Sequence, residues 1–199
     1  MDRVAPEALV FDLDGTVWDS YPWYAQILED EARVPKTQTI GELSHGASVV
    51  RLINEHGVTR SRFVRRAVSS IDALSLYPGI REVLSTLRAR RVPLAVFTSL
   101  PGSIAEPTLN ATGLRAYFSQ VVHAGNCYVR KPRPAGILQA LSAMEVAPSD
   151  AVIYVGDRAD DSRAAQSAGV SFAWAAYGYS EELPPFITLR LRSATDLLK

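Results

Sequence analysis

Short apolar runs, each stopping at a polar residue or a turn, recur five times along this chain, at residues 8–12, 93–98, 120–123, 151–155 and 170–174. None is long enough for an ordinary helix, and helical patterns lie between them. Ile80, Val83, Leu84 and Leu87 fall at i, i+3, i+4 and i+7 after the breaker Pro78-Gly79. Ile137, Leu138, Leu141 and Met144 repeat that spacing after Pro132 and Pro134. Strand–helix alternation of this kind predicts an α/β protein with a central parallel sheet covered by helices on both faces.

Residues 17–77 interrupt the alternation. Tyr24, Ile27 and Leu28 form one helical stripe, with Pro22 suited to a helix start. Leu43, Ala47 and Val50 form a second, with Gly57 placed to end it, and Val64, Ala67, Val68 and Ile71 a third. The segment reads as an inserted all-helical subdomain spanning 17–77. Residues 1–16 and 78–199 then form the sheet-bearing core. Trp18, Tyr21, Trp23 and Tyr24 follow the first run closely, and packing is the favoured role for them.

Composition removes several classes of function. Lysine plus arginine (21) balance aspartate plus glutamate (21), so nothing in the charge points to nucleic acid or an acidic tail. The single Cys127 excludes an intramolecular disulfide and a multi-cysteine zinc site. No apolar stretch is long enough to span a bilayer and the residues before the first run show no basic stretch followed by an apolar one, so the cytoplasm is the expected location. His45, His56 and His123 lack metal-ligand spacing. Arg62, Arg65 and Arg66 read as a solvated face, and Arg51 is a weak candidate for substrate contact.

The chemistry lies at the ends of the runs. Ligands of an open parallel sheet bind beyond the carboxyl ends of its strands. Asp12, Thr98, Asp157 and Asp161 sit at or just past such ends, and Lys131 follows the third run after a loop. Asp12 can attack phosphorus and form an aspartyl-phosphate, splitting one displacement into two easier ones. Asp14, two residues on, can protonate the leaving oxygen and later deprotonate water. Gly15 permits the intervening turn. Thr98 can donate its hydroxyl to a phosphoryl oxygen, and Lys131 can neutralise the phosphate and hold the nucleophile. Asp157 and Asp161, with no Cys or His ligand nearby, suit a hard oxygen-seeking cation, for which Mg2+ is the natural choice. Asp160 reads as a cap for the following helix.

Asp12-Leu13-Asp14-Gly15-Thr16-Val17-Trp18-Asp19-Ser20 resembles the first motif of the haloacid dehalogenase superfamily. Tyr77-Pro78-Gly79 resembles the return from a helical cap to the core. Val96-Phe97-Thr98, Lys131-Pro132-Arg133-Pro134 and Gly156 through Gly169 resemble the second, third and fourth motifs, so that the likeness spans residues 8–175. It implies a Rossmann-like three-layer core and a magnesium-dependent phosphatase similar to the phosphoglycolate phosphatases. By the same resemblance the metal is held by Asp12, the backbone oxygen of Asp14, and Asp157. Dehalogenases of the superfamily lack an acid at the position of Asp14, which argues for phosphate chemistry. Ser99 departs from the Asn that many of the phosphatases carry there.

The expected reaction is hydrolysis of a small phosphorylated metabolite, with no nucleic-acid or membrane partner, by a monomer or homodimer. A phosphomutase resembling beta-phosphoglucomutase is the first alternative. A non-catalytic binding protein that kept the fold is a more distant one.

Overall fold

The computed structural model describes residues 6–127, 130–180 and 182–199. After β1 (Ala8–Phe11) come β2 (Trp18–Asp19), then α1 (Tyr21–Ala32), α2 (Lys36–Ser44), α3 (Val49–Glu55) and α4 (Arg60–Ser69), then β3 (Ser75–Leu76). Strands and helices alternate from there: α5 (Ile80–Ala89), β4 (Leu94–Pro101), α6 (Gly102–Ala111), β5 (Gln120–Ala124), α7 (Ala135–Ala143). The chain continues with β6 (Val152–Gly156), α8 (Ala159–Ala168), β7 (Ser171–Ala175) and β8 (Leu189–Leu191). Two compact units result, one made of the residues up to Val17 and from Tyr77 onward, the other of Trp18–Leu76.

The larger unit is built on a six-stranded sheet of order β5-β4-β1-β6-β7-β8, every pairing parallel. β1 lies inside it with all four residues buried, as expected where helices cover both faces. Its ladder aligns Phe11 with Val96 of β4 and with Val155 of β6, so β1 and β6 run out at nearly one level while β4 continues to Pro101. On one face Ala8, Val10, Phe97, Tyr154 and Phe172 pack with Ile137, Ala140 and Leu141 of α7 and with Ala164, Ala165 and Ala168 of α8. Leu9 and Phe11 alternate to the other face, where the Phe118 ring meets Phe11 edge-on at 6.1 Å. The four apolar positions expected on α5, Ile80, Val83, Leu84 and Leu87, are all buried. On α7 the buried set is Gly136, Ile137, Ala140 and Leu141, whereas Leu138 is 39% exposed.

In the smaller unit β2 and β3 pair antiparallel, Trp18 opposite Leu76. α1 has Pro22 in its first turn and buries Tyr21, Trp23, Tyr24, Ala25, Ile27 and Leu28. Trp23 stacks on Tyr24 at 5.3 Å and donates its indole N–H to Ser70, while the Tyr21 hydroxyl donates to Leu43 O. These aromatics are packing residues.

Two helical stripes differ from expectation. Leu43, Ala47 and Val50 do not share one helix, because α2 ends at Ser44 and Gly46 turns with φ +92°. Ser48 then caps α3 by accepting from Arg51 N, and Val50 is 46% exposed. Gly57, at φ +69°, does follow the end of α3. On α4 the buried face is Phe63 and Ala67, continued by Ile71, rather than Val64 and Val68. Burying the larger Phe63 rotates the helix and turns Val68 outward. Arg62 and Arg66 pair with Glu31 and Asp30 of α1, so two of the three arginines hold helix to helix.

Candidate active site

Asp12 directly follows β1, and its backbone N–H donates to Val155 O of β6 at 2.8 Å. The ladder that ends β1 thus sets Asp12 beside the start of the fourth motif. Thr98 lies on β4, which pairs with β1 on its other side, and is 2% exposed. Its hydroxyl accepts from Leu100 N at 3.2 Å. Asp157 follows β6 and is fully buried, and Asp161 lies in the first turn of α8, 1% exposed.

Lys131 joins these groups. Its ammonium is 2.7 Å from Asp12 Oδ1 and 2.7 Å from Asp161 Oδ1. The rings of Phe97 and Tyr154 flank it at 5.3 and 5.5 Å from their centroids. Asp161 is fully engaged. Oδ1 also accepts from the Tyr154 hydroxyl at 3.0 Å, and Oδ2 accepts from Arg158 N at 3.0 Å, closing the N-terminal cap of α8. The cap therefore belongs to Asp161, not to Asp160. Asp160 is exposed and pairs with Arg163, because its position in the turn faces solvent while Asp161 faces the lysine.

Asp157 is different. Its Oδ2 accepts from Tyr179 N at 3.0 Å, but its buried Oδ1 has no hydrogen-bond partner. An unpaired buried carboxylate oxygen is costly, since burial removes its water and nothing replaces it. Asp12, Asp157 and Asp161 each place a carboxylate oxygen within 4.8 Å of the others'. Three buried carboxylates face one ammonium, so the donor set and the orphaned oxygen both fit a hard divalent ion.

Electrostatics follow from that crowding. Burial pushes the Asp12 carboxyl up to about 7 against the pull of the Lys131 ammonium, and the neighbouring Asp161 charge adds to the rise. Burial and then Asp161 likewise drive Asp157 well above the usual carboxylate range. Burial alone would favour neutral Lys131, but the Asp12 and Asp161 carboxylates outweigh it and keep the lysine protonated.

Asp14 is half-buried in the turn that follows Asp12. Gly15 carries φ +74°, and a Cβ there would come within 2.4 Å of Asp157 Oδ2, so both backbone and space demand glycine. Ser99, His123, Cys127 and Arg130 line a shallow, solvent-open depression together with Thr98. Tyr154, Gly178 and Tyr179 have no place among the residues expected from sequence. Tyr154 reads there as strand core, and Tyr179 acts through its backbone N–H, which no residue type betrays.

A model of haloacid dehalogenase-like hydrolases matches residues 9–175. The chain belongs to that family. This hydrolase is 31% identical to a phosphoglycolate phosphatase of Pectobacterium atrosepticum, over 90% of its own length and 84% of the relative's. A solved Lactobacillus plantarum structure, assigned as a phosphoglycolate phosphatase, superposes with a TM-score of 0.81 at 24% identity. It covers 98% of this chain and 99% of that one. A Thermotoga maritima structure assigned as a beta-phosphoglucomutase shares the fold, with a TM-score of 0.68 at 22% identity and 96% of each chain covered. The expected Rossmann-like core with a central parallel sheet is the one observed, and the relatives make this hydrolase a phosphatase of its family. Among the described residues no helix is long and apolar enough to cross a membrane.

Proposed function

We propose that this hydrolase cleaves a small phosphomonoester in two steps through an aspartyl-phosphate on Asp12, at the carboxyl ends of β1, β4 and β6. The observation that carries the reading is the Asp12–Lys131–Asp161 chain beside the orphaned oxygen of Asp157. With Oδ1 held by Lys131, Oδ2 of Asp12 is the attacking atom. It forms a bond to phosphorus as the bond to the leaving oxygen breaks, and Asp14 delivers the proton that makes the leaving group an alcohol. Water then enters, Asp14 takes its proton, and the water oxygen displaces Asp12 from phosphorus, releasing inorganic phosphate. Lys131 and the Thr98 hydroxyl stabilise the phosphoryl oxygens through both steps.

Asp12, the backbone oxygen of Asp14, and Asp157 would hold Mg2+, with Asp161 completing the acidic wall and anchoring the lysine. A bound Mg2+ supplies charge neutralisation at the transferring phosphoryl group. The relative of Pectobacterium is named for phosphoglycolate, and a small phosphorylated carboxylic acid is the substrate class we assign. We expect a monomer or homodimer in the cytoplasm, with the small phosphorylated metabolite as its partner.

The test is phosphate release from phosphoglycolate, sugar phosphates and an aryl phosphate with Mg2+, by the wild type and by Asp12→Asn. The wild type should turn over at least one of them, and the variant should lose about 10³-fold or more. Equal rates reject the nucleophile. Isomerised sugar phosphate without free phosphate would make the protein a mutase instead.

A further inference from the structure

The residues after β7 reach back to the site. Tyr177 donates its hydroxyl to Thr16 O at 2.9 Å, in the turn that follows Asp14, and its ring meets Tyr77 edge-on at 5.0 Å. Tyr179 N donates to Asp157 Oδ2 at 3.0 Å. Between them Gly178 is pressed so closely that a Cβ would lie 2.3 Å from Gly15 O and 2.5 Å from Asp157 Cβ. Within β7 itself, the Trp174 indole N–H donates to Asp157 O at 3.2 Å.

Four contacts from one short segment thus converge on two groups that the chain separates widely, the Gly15–Thr16 turn and Asp157. They occupy one oxygen of Asp157 and leave the other unpaired and buried. We propose that Tyr177-Gly178-Tyr179 is a positioning strap, which fixes the distance between Asp157 and the Asp12–Asp14 turn and so sets the affinity of the site for a divalent ion. The inference rests on the metal reading of the site given above. The physical reason is general: a carboxylate whose second oxygen is pinned by a neighbour is presented to a metal in one orientation, and loss of such support typically weakens binding by about 10–100-fold. A backbone N–H is a stiff donor for that purpose, because the fold rather than a rotamer holds it. Gly178 permits the approach, since any side chain there would push Tyr179 N away from Asp157.

The test is calorimetric titration of metal-stripped protein with Mg2+, alongside melting in chelator, for wild type, Gly178→Ala and Tyr177→Phe. Gly178→Ala should raise the Mg2+ dissociation constant by about 10-fold or more. Tyr177→Phe, which keeps the ring and folds with the least disturbance, should raise it about 3-fold, from loss of a single neutral hydrogen bond. Dissociation constants within 2-fold of wild type in both variants would overturn the strap, even if melting temperatures fall, because that is the signature of packing alone. If wild type itself binds no divalent ion, the metal reading fails and the strap falls with it. If wild type binds and the variants match it, only the strap is lost.

Discussion

Lys131 Nζ lies 2.7 Å from Asp161 Oδ1, as close as it lies to the nucleophile candidate Asp12. The lysine is therefore shared between a carboxylate that must react and one that is tied down by Tyr154 and the start of α8. Asp161 fixes the ammonium, and the ammonium fixes Asp12. A long, flexible side chain becomes a rigid strut, and the reacting oxygen inherits its position from a helix terminus.

Replacing Lys131 by Met should be costly even where no substrate is present. Three buried carboxylates would be left without their cation, and breaking a buried pair by removing one partner costs about 3–5 kcal/mol. Urea unfolding in chelator should show a loss of that order. A loss under about 1 kcal/mol would mean that the lysine contributes as little as an exposed ion pair does.

Tyr154→Phe removes the hydroxyl shared between Asp161 and Phe97 O. The ring and its packing remain, so the expected cost is about 1–2 kcal/mol of stability. Turnover should fall as well, through a less firmly held Lys131. Unchanged kcat with reduced stability would confine Tyr154 to the core.

The metal-free protein should lose stability as pH rises from about 4 toward 7. The Asp12 carboxyl titrates near 3.8 when unfolded and is pushed up to about 7 when folded, chiefly by burial. Between those values the folded state binds the additional proton, so stability falls with increasing pH across the window. Asp157 shifts in the same direction. Asp196, lowered to about 2 chiefly by Lys199, loses its contribution only as pH drops below its ordinary value, outside this window. Melting curves in chelator at about pH 5 and pH 7.5 check this, and a higher melting point at the upper pH contradicts it.

Asp14→Asn should discriminate by leaving group. An aryl phosphate departs without a proton, whereas the alkoxide of an aliphatic ester needs one. Loss of the proton carrier should slow aliphatic phosphate esters by about 10²–10⁴-fold. Formation of the covalent intermediate from nitrophenyl phosphate should be much less affected, visible as a burst of nitrophenol. Equal slowing of the nitrophenol burst and of aliphatic ester cleavage would assign Asp14 a role other than proton transfer.

The sheet and the four motifs were legible because each strand announces itself as an apolar run, and a parallel sheet sends the ends of its strands to one edge. That rule puts Asp12, Thr98 and Asp157 at one edge, whereas Lys131, in a loop beyond the third run, gained weight only from their company. The details that escaped are those decided by three-dimensional competition. On α4 the apolar residues Phe63, Val64, Ala67 and Val68 offer two adjacent faces, and only packing chooses the one with Phe63. α2 and α3 read as one stripe because Gly46 alone does not reveal its φ of +92°. α6 has Pro107 inside it and a weak apolar rhythm, and β8 is three residues long, so neither offers a periodic signal. The strap acts through a backbone N–H, a missing side chain and one hydroxyl, and lies beyond the family likeness, which ends at residue 175.

The alignment of Phe11 with Val155 carries a lesson for engineering. Because the spacing of the reactive acids is ruled by hydrogen bonds between adjacent strands, a single inserted residue within β1 or β6 would swing a carboxylate to the far side of the sheet and abolish chemistry outright. Loops carry no such gearing. Libraries aimed at new substrates should therefore leave those two strands untouched and place their diversity elsewhere.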